Sequence, residues 1–324
     1  MLRAAPERAM RSFLVWLSRR RSLGRLATRL PITRSMVARF VAGETLDEAV
    51  GALERLQAQG LRTTVDVLGE DVTSAEAARV AADEYLATLD ALAARGLDRN
   101  VSVKLSQMGL GIGEEICRAN LERILASAAA HDAFVRVDME DHTTTDETLA
   151  IWRALRPVNA GRGDSGVVIQ AALRRSPADV DELIEERARI RICKGAYVEP
   201  AAVALPDKAD VDAAYGELME RLLRNGVFPA IATHDERLIA RALAFARAND
   251  IAPDQFEFQM LYGVRRDLQD RLVRAGYGVR VYVPFGTQWY AYFMRRLAER
   301  PANVAFVLRS ILREGREKPP GAPG

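Results

Sequence analysis

Two arginines stand side by side at positions 295 and 296, inside the run T-Q-W-Y-A-Y-F-M-R-R-L-A-E. Tyr292, Arg295, Arg296 and Glu299 are spaced three and four apart, so on a helix they share one face. Two guanidiniums beside a phenol suit a small carboxylate, because each guanidinium offers paired donors in a fixed fork. An ordinary solvated helix carries such charges too, so the remaining polar groups must decide. Cations recur at Lys104, Arg191 and Lys194, with one well-placed carboxylate at Asp138. That set suits an anionic substrate together with a phosphate-bearing cofactor. Lys194-Gly195-Ala196 puts a charge before small residues that let backbone N–H groups approach a phosphate.

Other chemistries find less support. No G-x-G-x-x-G follows the first strand-like run, and no G-x-x-x-x-G-K-[ST] occurs, so the usual dinucleotide and P-loop signatures are missing. The three histidines and the two cysteines, Cys117 and Cys193, show no zinc spacing. No serine–histidine arrangement reads as a nucleophile. A Schiff-base aldolase using Lys104 or Lys194 stays open on the residues alone.

The elements that must position these groups alternate strictly. Strands are expected over 63–69, 100–106, 134–141, 166–173, 189–197, 228–234, 255–263 and 278–285. Helices are expected over 46–59, 74–95, 114–130, 145–155, 210–224, 236–249 and 265–275. A further one opens at Ser176-Pro177, with Ser176 as N-cap. Eight β-then-α units without a linker predict a closed parallel (β/α)8 barrel rather than a doubly wound sheet. Within the strands one register is apolar (Val65/Val67, Val101/Val103/Leu105, Val135/Val137, Ile190/Ile192, Phe256/Phe258, Val279/Val281/Val283) and must face the helices. The other holds Asp66, Lys104, Arg136, Asp138, Gln170, Arg191, Glu257, Gln259, Arg280 and Tyr282, and must face the lumen. Arg136, Glu257 and Arg280 sit deep in their strands and read as internal ion pairs. Lys104, Asp138, Gln170 and Arg191 sit near carboxyl ends, where barrel sites lie.

The chain has 324 residues with net charge +2. The charge is uneven: residues 1–40 hold ten arginines and a single acid, Glu7. Phe13 and Trp16 precede Arg19-Arg20-Arg21, the pattern of a basic amphipathic helix on an anionic membrane surface. A solvated basic helix on the protein body fits equally, and a membrane-surface binding module with an inert barrel is a further alternative. No apolar run reaches a membrane span, and no signal peptide is evident. The acidic body argues against nucleic acid. Both cysteines are expected as reduced structural thiols in a cytoplasmic protein. The expected organisation is a basic arm (1–45), a barrel (46–315) with a last helix over 303–314, and a disordered tail (316–324).

Seven motifs then occur together and in order: V-S-V-K-L-S, V-R-V-D-M-E, R-I-C-K-G-A-Y, A-T-H-D, F-Q-M-L-Y-G, R-V-Y-V-P-F-G and Y-x-x-R-R. Over residues 45–310 the chain resembles the flavin-dependent proline dehydrogenases, in their short monofunctional bacterial form. The resemblance implies a distorted (β/α)8 barrel whose final helix covers the mouth, and FAD bound without a Rossmann fold. It implies oxidation of L-proline to Δ1-pyrroline-5-carboxylate by hydride transfer from C5 to flavin N5. Electrons would pass to membrane quinone, with peripheral association at the inner face of the cytoplasmic membrane. Arg295 and Arg296, aided by Lys104, would pair with the proline carboxylate. Tyr292 and Tyr282 would close on the ring, with Tyr197 and Leu261 nearby. Asp138 would hold Lys104, and Arg191 would lie by flavin N5. Met139 and Gln170 would contact the flavin ring. Lys194, Gly195, Ala196, Thr233 and His234 would hold the ring edge, ribityl chain and pyrophosphate. Glu299 would tie Arg296 in place. Tyr292 implies proline over hydroxyproline. Alanines after Gln170 and Val198 depart from the family pattern at the adenine end.

Overall fold

The computed structural model describes residues 37–69, 72–290 and 292–294. Eight parallel strands close on themselves in chain order. They are β1 (Arg62–Val67), β2 (Asn100–Val103), β3 (Phe134–Val137), β4 (Ser165–Gln170), β5 (Arg189–Cys193), β6 (Ala230–Ala232), β7 (Glu257–Leu261) and β8 (Gly278–Phe285). Helix α1 (Leu46–Ala58) precedes β1. Then α2 (Ala75–Ala94), α3 (Glu114–Ala130), α4 (Thr145–Leu155), α5 (Ser176–Glu185), α6 (Lys208–Asn225), α7 (Glu236–Ala248) and α8 (Arg266–Arg274) each follow a strand. This is the expected (β/α)8 barrel. Its closing seam, β1 on β8, runs from Arg62↔Arg280 to Val67↔Phe285.

The two registers separate as the alternation demands. Val65, Val101, Val103, Val135, Val137, Ile190, Ile192, Phe258 and Val281 are at most 1% exposed and belong to the apolar core between strands and helices. Asp66, Ser102, Arg136, Arg191, Glu257, Gln259 and Arg280 are buried on the other face, where buried charge needs partners. Local chemistry fixes the helix starts. Thr45 and Glu48 form a capping box at α1, and the Ser74 and Asp235 side chains cap α2 and α7.

Several strands stop short of their apolar runs, for backbone reasons. β5 ends at Cys193 because Gly195 takes φ +112°, outside the β region. β6 is cut to three residues because Phe228 sits at φ +45° and Pro229 has no N–H to donate. Ser176 is not the N-cap of α5 but its first residue; Arg175 occupies the cap. The Ser176 hydroxyl instead donates to the Gln170 carbonyl at 2.6 Å, tying α5 to the end of β4.

A second, smaller core sits at the carboxyl end of the β1–β8 seam. Val37, Phe40, Val41, Leu68, Trp289, Tyr292, Phe293 and Met294 bury one another there. Main-chain bonds from Ala42 to the Pro284 carbonyl and from Gly286 to the Gly43 carbonyl stitch residues 42–43 to the end of β8. Trp289 donates its indole N–H to Glu44 at 3.0 Å. The expected 303–314 helix, the tail and residues 1–36 of the arm lie outside the described residues. Cys117 is a free thiol, and burial pushes it up to about 12.

Candidate active site

Arg191 projects from the middle of β5 into the lumen and spends its whole fork there. Nη1 donates to Asp138 Oδ1 at 2.7 Å, Nη2 to Ser102 Oγ at 3.0 Å, and Nε to Gln259 Oε1 at 2.5 Å. Asp138 follows β3 directly, where its N–H bonds the Val103 carbonyl. Its second oxygen accepts from the Tyr282 phenol at 2.8 Å. Lys104 follows β2, and its ammonium meets Tyr282 Oη at 3.1 Å and Asp66 Oδ1 at 2.7 Å. Both cations also lie over the Tyr282 ring, Lys104 at 5.8 Å and Arg191 at 5.4 Å from its centroid. Lys104, Asp138, Arg191 and Tyr282 thus form one connected group at the carboxyl end of the barrel.

One expected detail shifts. Asp138 stands 3.7 Å from the lysine ammonium, while Asp66 is the close partner at 2.7 Å. Asp66 was legible only as an inward-facing position. The signal that finds its role is register: Asp66 pairs with Ser102 across β1 and β2, two residues before Lys104 on the same face. Ser102 and Gln259, the remaining partners of Arg191, lie inside V-S-V-K-L-S and F-Q-M-L-Y-G, with Gln259 on the lumen-facing register, but their bonds to Arg191 come from the structure.

The electrostatics follow from burial. Desolvation raises the Asp66 pKa, and the Asp138 charge adds to it, against the pull of Lys104. Desolvation alone would lower Lys104, but Asp66, Tyr282 and Asp138 outweigh it and hold it well above its ordinary value. Burial and the two carboxylates push Tyr282 far up, so it remains a phenol and donates. A layer deeper, Arg280 bonds Glu257 at 2.7 Å and Asp98 at 2.5 Å, and Gln259 links this layer to Arg191 through Glu257.

The rim comes from the loops after the strands. Gln170 ends β4 and donates to the Glu140 carbonyl at 2.7 Å, while Ser106 donates from N and Oγ to the Glu140 carboxylate. Met139 is buried between Asp138 and Glu140. His142 is paired with Glu199, joining the loops after β3 and β5. Lys194 bonds Asp212 at 2.5 Å and Asp235 at 3.2 Å; neither acid was singled out in the sequence. Gly195 carries no side chain beside Gln170, and a Cβ there would stand 3.4 Å from Gln170 Oε1. Ala196 is exposed, and Tyr197 half-buried. Thr233 Oγ1 accepts from the Asp235 N–H, and His234 Nε2 accepts from the Leu261 N–H at 2.9 Å. That bond places any proton of a neutral His234 on Nδ1. Tyr292 is buried in the small core above the β1–β8 seam. Arg295, Arg296 and Glu299 lie outside the described residues. Among the described residues no cluster of His, Cys, Asp and Glu could hold a metal, and no helix is long and apolar enough to cross a membrane.

Residues 49–309 match the family model described as proline dehydrogenase. The chain is 45% identical over 282 residues to proline dehydrogenase of Deinococcus radiodurans, covering 86% of this chain and 91% of that one. It is 41% identical over 305 residues to proline dehydrogenase 1 of Bacillus subtilis, covering 94% and 100%. Among solved structures it superposes on proline utilization A of Bdellovibrio bacteriovorus, inactivated by N-propargylglycine, with a TM-score of 0.78 and 28% identity. That match covers 88% of this chain and 34% of the other, so the chain spans about a third of that larger protein. By family model, by sequence over nearly its full length and by barrel architecture, this chain belongs to the proline dehydrogenase family.

Proposed function

We propose that this oxidoreductase converts L-proline to Δ1-pyrroline-5-carboxylate with FAD as its cofactor, and passes the electrons to a membrane quinone. The observation that carries this reading is the Asp66–Lys104–Tyr282–Asp138–Arg191 network at the barrel mouth. It presents cations and a phenol on a floor of buried, partnered acids. A zwitterion with a carboxylate and a cyclic amine matches it.

The residues present fit a flavin. Gly195 keeps the strand-end loop bare beside Gln170, so backbone there can approach a ring edge or phosphate. Gly195, Ala196, Thr233 and His234 would hold it, with Gln170 and Met139 against the ring and Arg191 at its reactive edge. Lys194, held by Asp212 and Asp235, would offer the third of its N–H donors to the pyrophosphate. When bound, FAD supplies the two-electron hydride acceptor.

The chain's own residues bind and orient. Lys104, Arg295 and Arg296 take the carboxylate, and Tyr282 and Tyr292 flank the ring with Leu261 and Tyr197. Held so, the C5–H bond is aimed, which is the largest service a carboxylate clamp performs. Removing one arginine of the clamp should cost about 2–5 kcal/mol of substrate binding.

An aldolase reading is disfavoured by the lysines themselves. A Schiff-base nucleophile must be a neutral amine, and Lys104 is held well above its ordinary pKa by its anionic neighbours. Lys194 is clasped between two carboxylates. The test is an absorption spectrum: purified protein should be yellow and should bleach anaerobically with L-proline. Arg296→Met should keep its colour and lose bleaching at moderate proline. A colourless protein, or a yellow one indifferent to proline, would overturn the proposal, and unchanged proline affinity in Arg296→Met would overturn the clamp.

A further inference from the structure

Oxidation of a cyclic amine at its ring carbon needs the nitrogen lone pair, yet proline reaches the enzyme as an ammonium. A proton must therefore leave, and the mouth of the barrel holds two carboxylates that could take it. Their surroundings differ. Both oxygens of Asp138 are engaged, one by the Arg191 guanidinium and one by the Tyr282 phenol. Asp66 is fully buried, with one oxygen on the Lys104 ammonium and the other, Oδ2, without a hydrogen-bond partner among the described residues. Tyr282 is near enough to favour the Asp66 anion but directs its hydrogen bond to Asp138. A buried carboxylate with an unsolvated oxygen is a poor anion and a ready proton acceptor.

We infer that Asp66 is the terminal acceptor of the substrate's amine proton, reached through Lys104. This rests on the proline-oxidising function proposed above. Lys104 meets the substrate carboxylate, and the amine lies on the adjoining carbon, within reach of the same ammonium. One N–H bond of Lys104 breaks as its proton moves 2.7 Å to Asp66 Oδ1. One N–H bond of the proline ammonium breaks as Lys104 takes that proton. The electron pair stays on the proline nitrogen. Lys104 begins and ends as an ammonium, and Asp66 begins as a carboxylate and ends as an acid. Burial raises the Asp66 pKa while anionic neighbours hold Lys104 well above its ordinary value, so the two transfers occur together and Lys104 never rests as a neutral amine. The charged and titratable groups facing Asp66 are Lys104 after β2, Asp138 after β3, Tyr282 on β8 and Tyr85 on α2. The Tyr85 hydroxyl donates to the Ser102 carbonyl at 2.8 Å.

The test uses the full chain with FAD bound, mixed anaerobically with proline across pH. In the wild type, flavin reduction should fall away on the acid side as Asp66 becomes protonated. In Asp66→Asn it should be about 10²–10⁴-fold slower near neutral pH, the size of a lost proton acceptor. It should then climb tenfold per pH unit, following the free-amine form of proline in solution. Infrared difference spectra give a readout apart from turnover. A protonated-carboxyl band should appear when proline reduces the wild-type flavin and be missing in Asp66→Asn. Asp66→Glu, which keeps the charge, should shift that band and serves where Asp66→Asn fails to hold FAD. A wild-type pH profile merely scaled down in Asp66→Asn, no carboxyl band in the wild type, or a band unmoved by the Asp66 variants would overturn the inference. Failure of proline to bleach the wild-type flavin would instead overturn proline oxidation itself.

Discussion

Arg191 gathers side chains from three other places in the barrel: Ser102 on β2, Asp138 after β3 and Gln259 on β7. Only one of those partners is charged. Asp138→Ala should therefore leave a buried guanidinium with neutral partners alone and cost about 3–5 kcal/mol of stability, read by urea unfolding. The same variant frees the Tyr282 hydroxyl, so weaker proline binding should accompany the lost stability. At this scale the sequence was informative where a motif placed a charged residue next to a strand end, as with Lys104, Asp138 and Arg191. It assigned no role to a partner that is an ordinary residue made special by position, even one inside a quoted motif. Ser102 and Gln259 are such residues, as are Asp212 and Asp235, which reach Lys194 from a helix and a loop distant in sequence.

Among elements, the lower lumen shows how strands carry buried charge without a ligand. Glu257 on β7 is nearly fully buried, which by itself would raise its pKa. Arg280 on β8, with Gln259 and Arg62, outweighs that and brings it to about 2. Its folded pKa is thus below the ordinary 4.5. The stabilisation is complete above pH ~4.5 and is lost as pH falls toward 2; it amounts to roughly 3 kcal/mol by proton linkage. Glu257→Gln should remove that slope, so acid titration of the variant should show a shallower loss of stability between those limits than the wild type. Nearby, the Arg189 guanidinium lies over Phe134 at 4.5 Å and over Phe228 at 4.9 Å, and Arg136 covers Phe134 at 4.7 Å. These strands carry aromatic rings where acids run out. Element order and type were legible from alternation, because a barrel strand must show one face to helices and one to the lumen. Strand ends were not, because Gly195 and Phe228 leave the β region through backbone angles that apolar patterning does not encode.

At the scale of the whole molecule, the barrel mouth depends on segments far apart in the chain. Val37, Phe40 and Val41 are buried against Trp289, Tyr292 and Phe293. A chain beginning at residue 45 should lose this small core, with each buried apolar side chain worth about 1.5–3 kcal/mol. It should melt earlier and bind proline more weakly, by thermal denaturation and steady-state titration. A chain lacking only residues 1–36 keeps those contacts. We expect it to retain dye-linked turnover while sedimenting less with anionic vesicles; equal sedimentation of both forms would remove the arm as an anchor.

The β1–β8 seam, with its six paired positions, has a consequence for synthesis. The strand that emerges first from the ribosome waits, with an open edge, for the strand that emerges last. Pairing across so long a stretch is slow, and unpaired edges invite aggregation. No truncated translation product ending before Phe285 can complete the ring, so a nascent chain stays catalytically silent until its final strand is released.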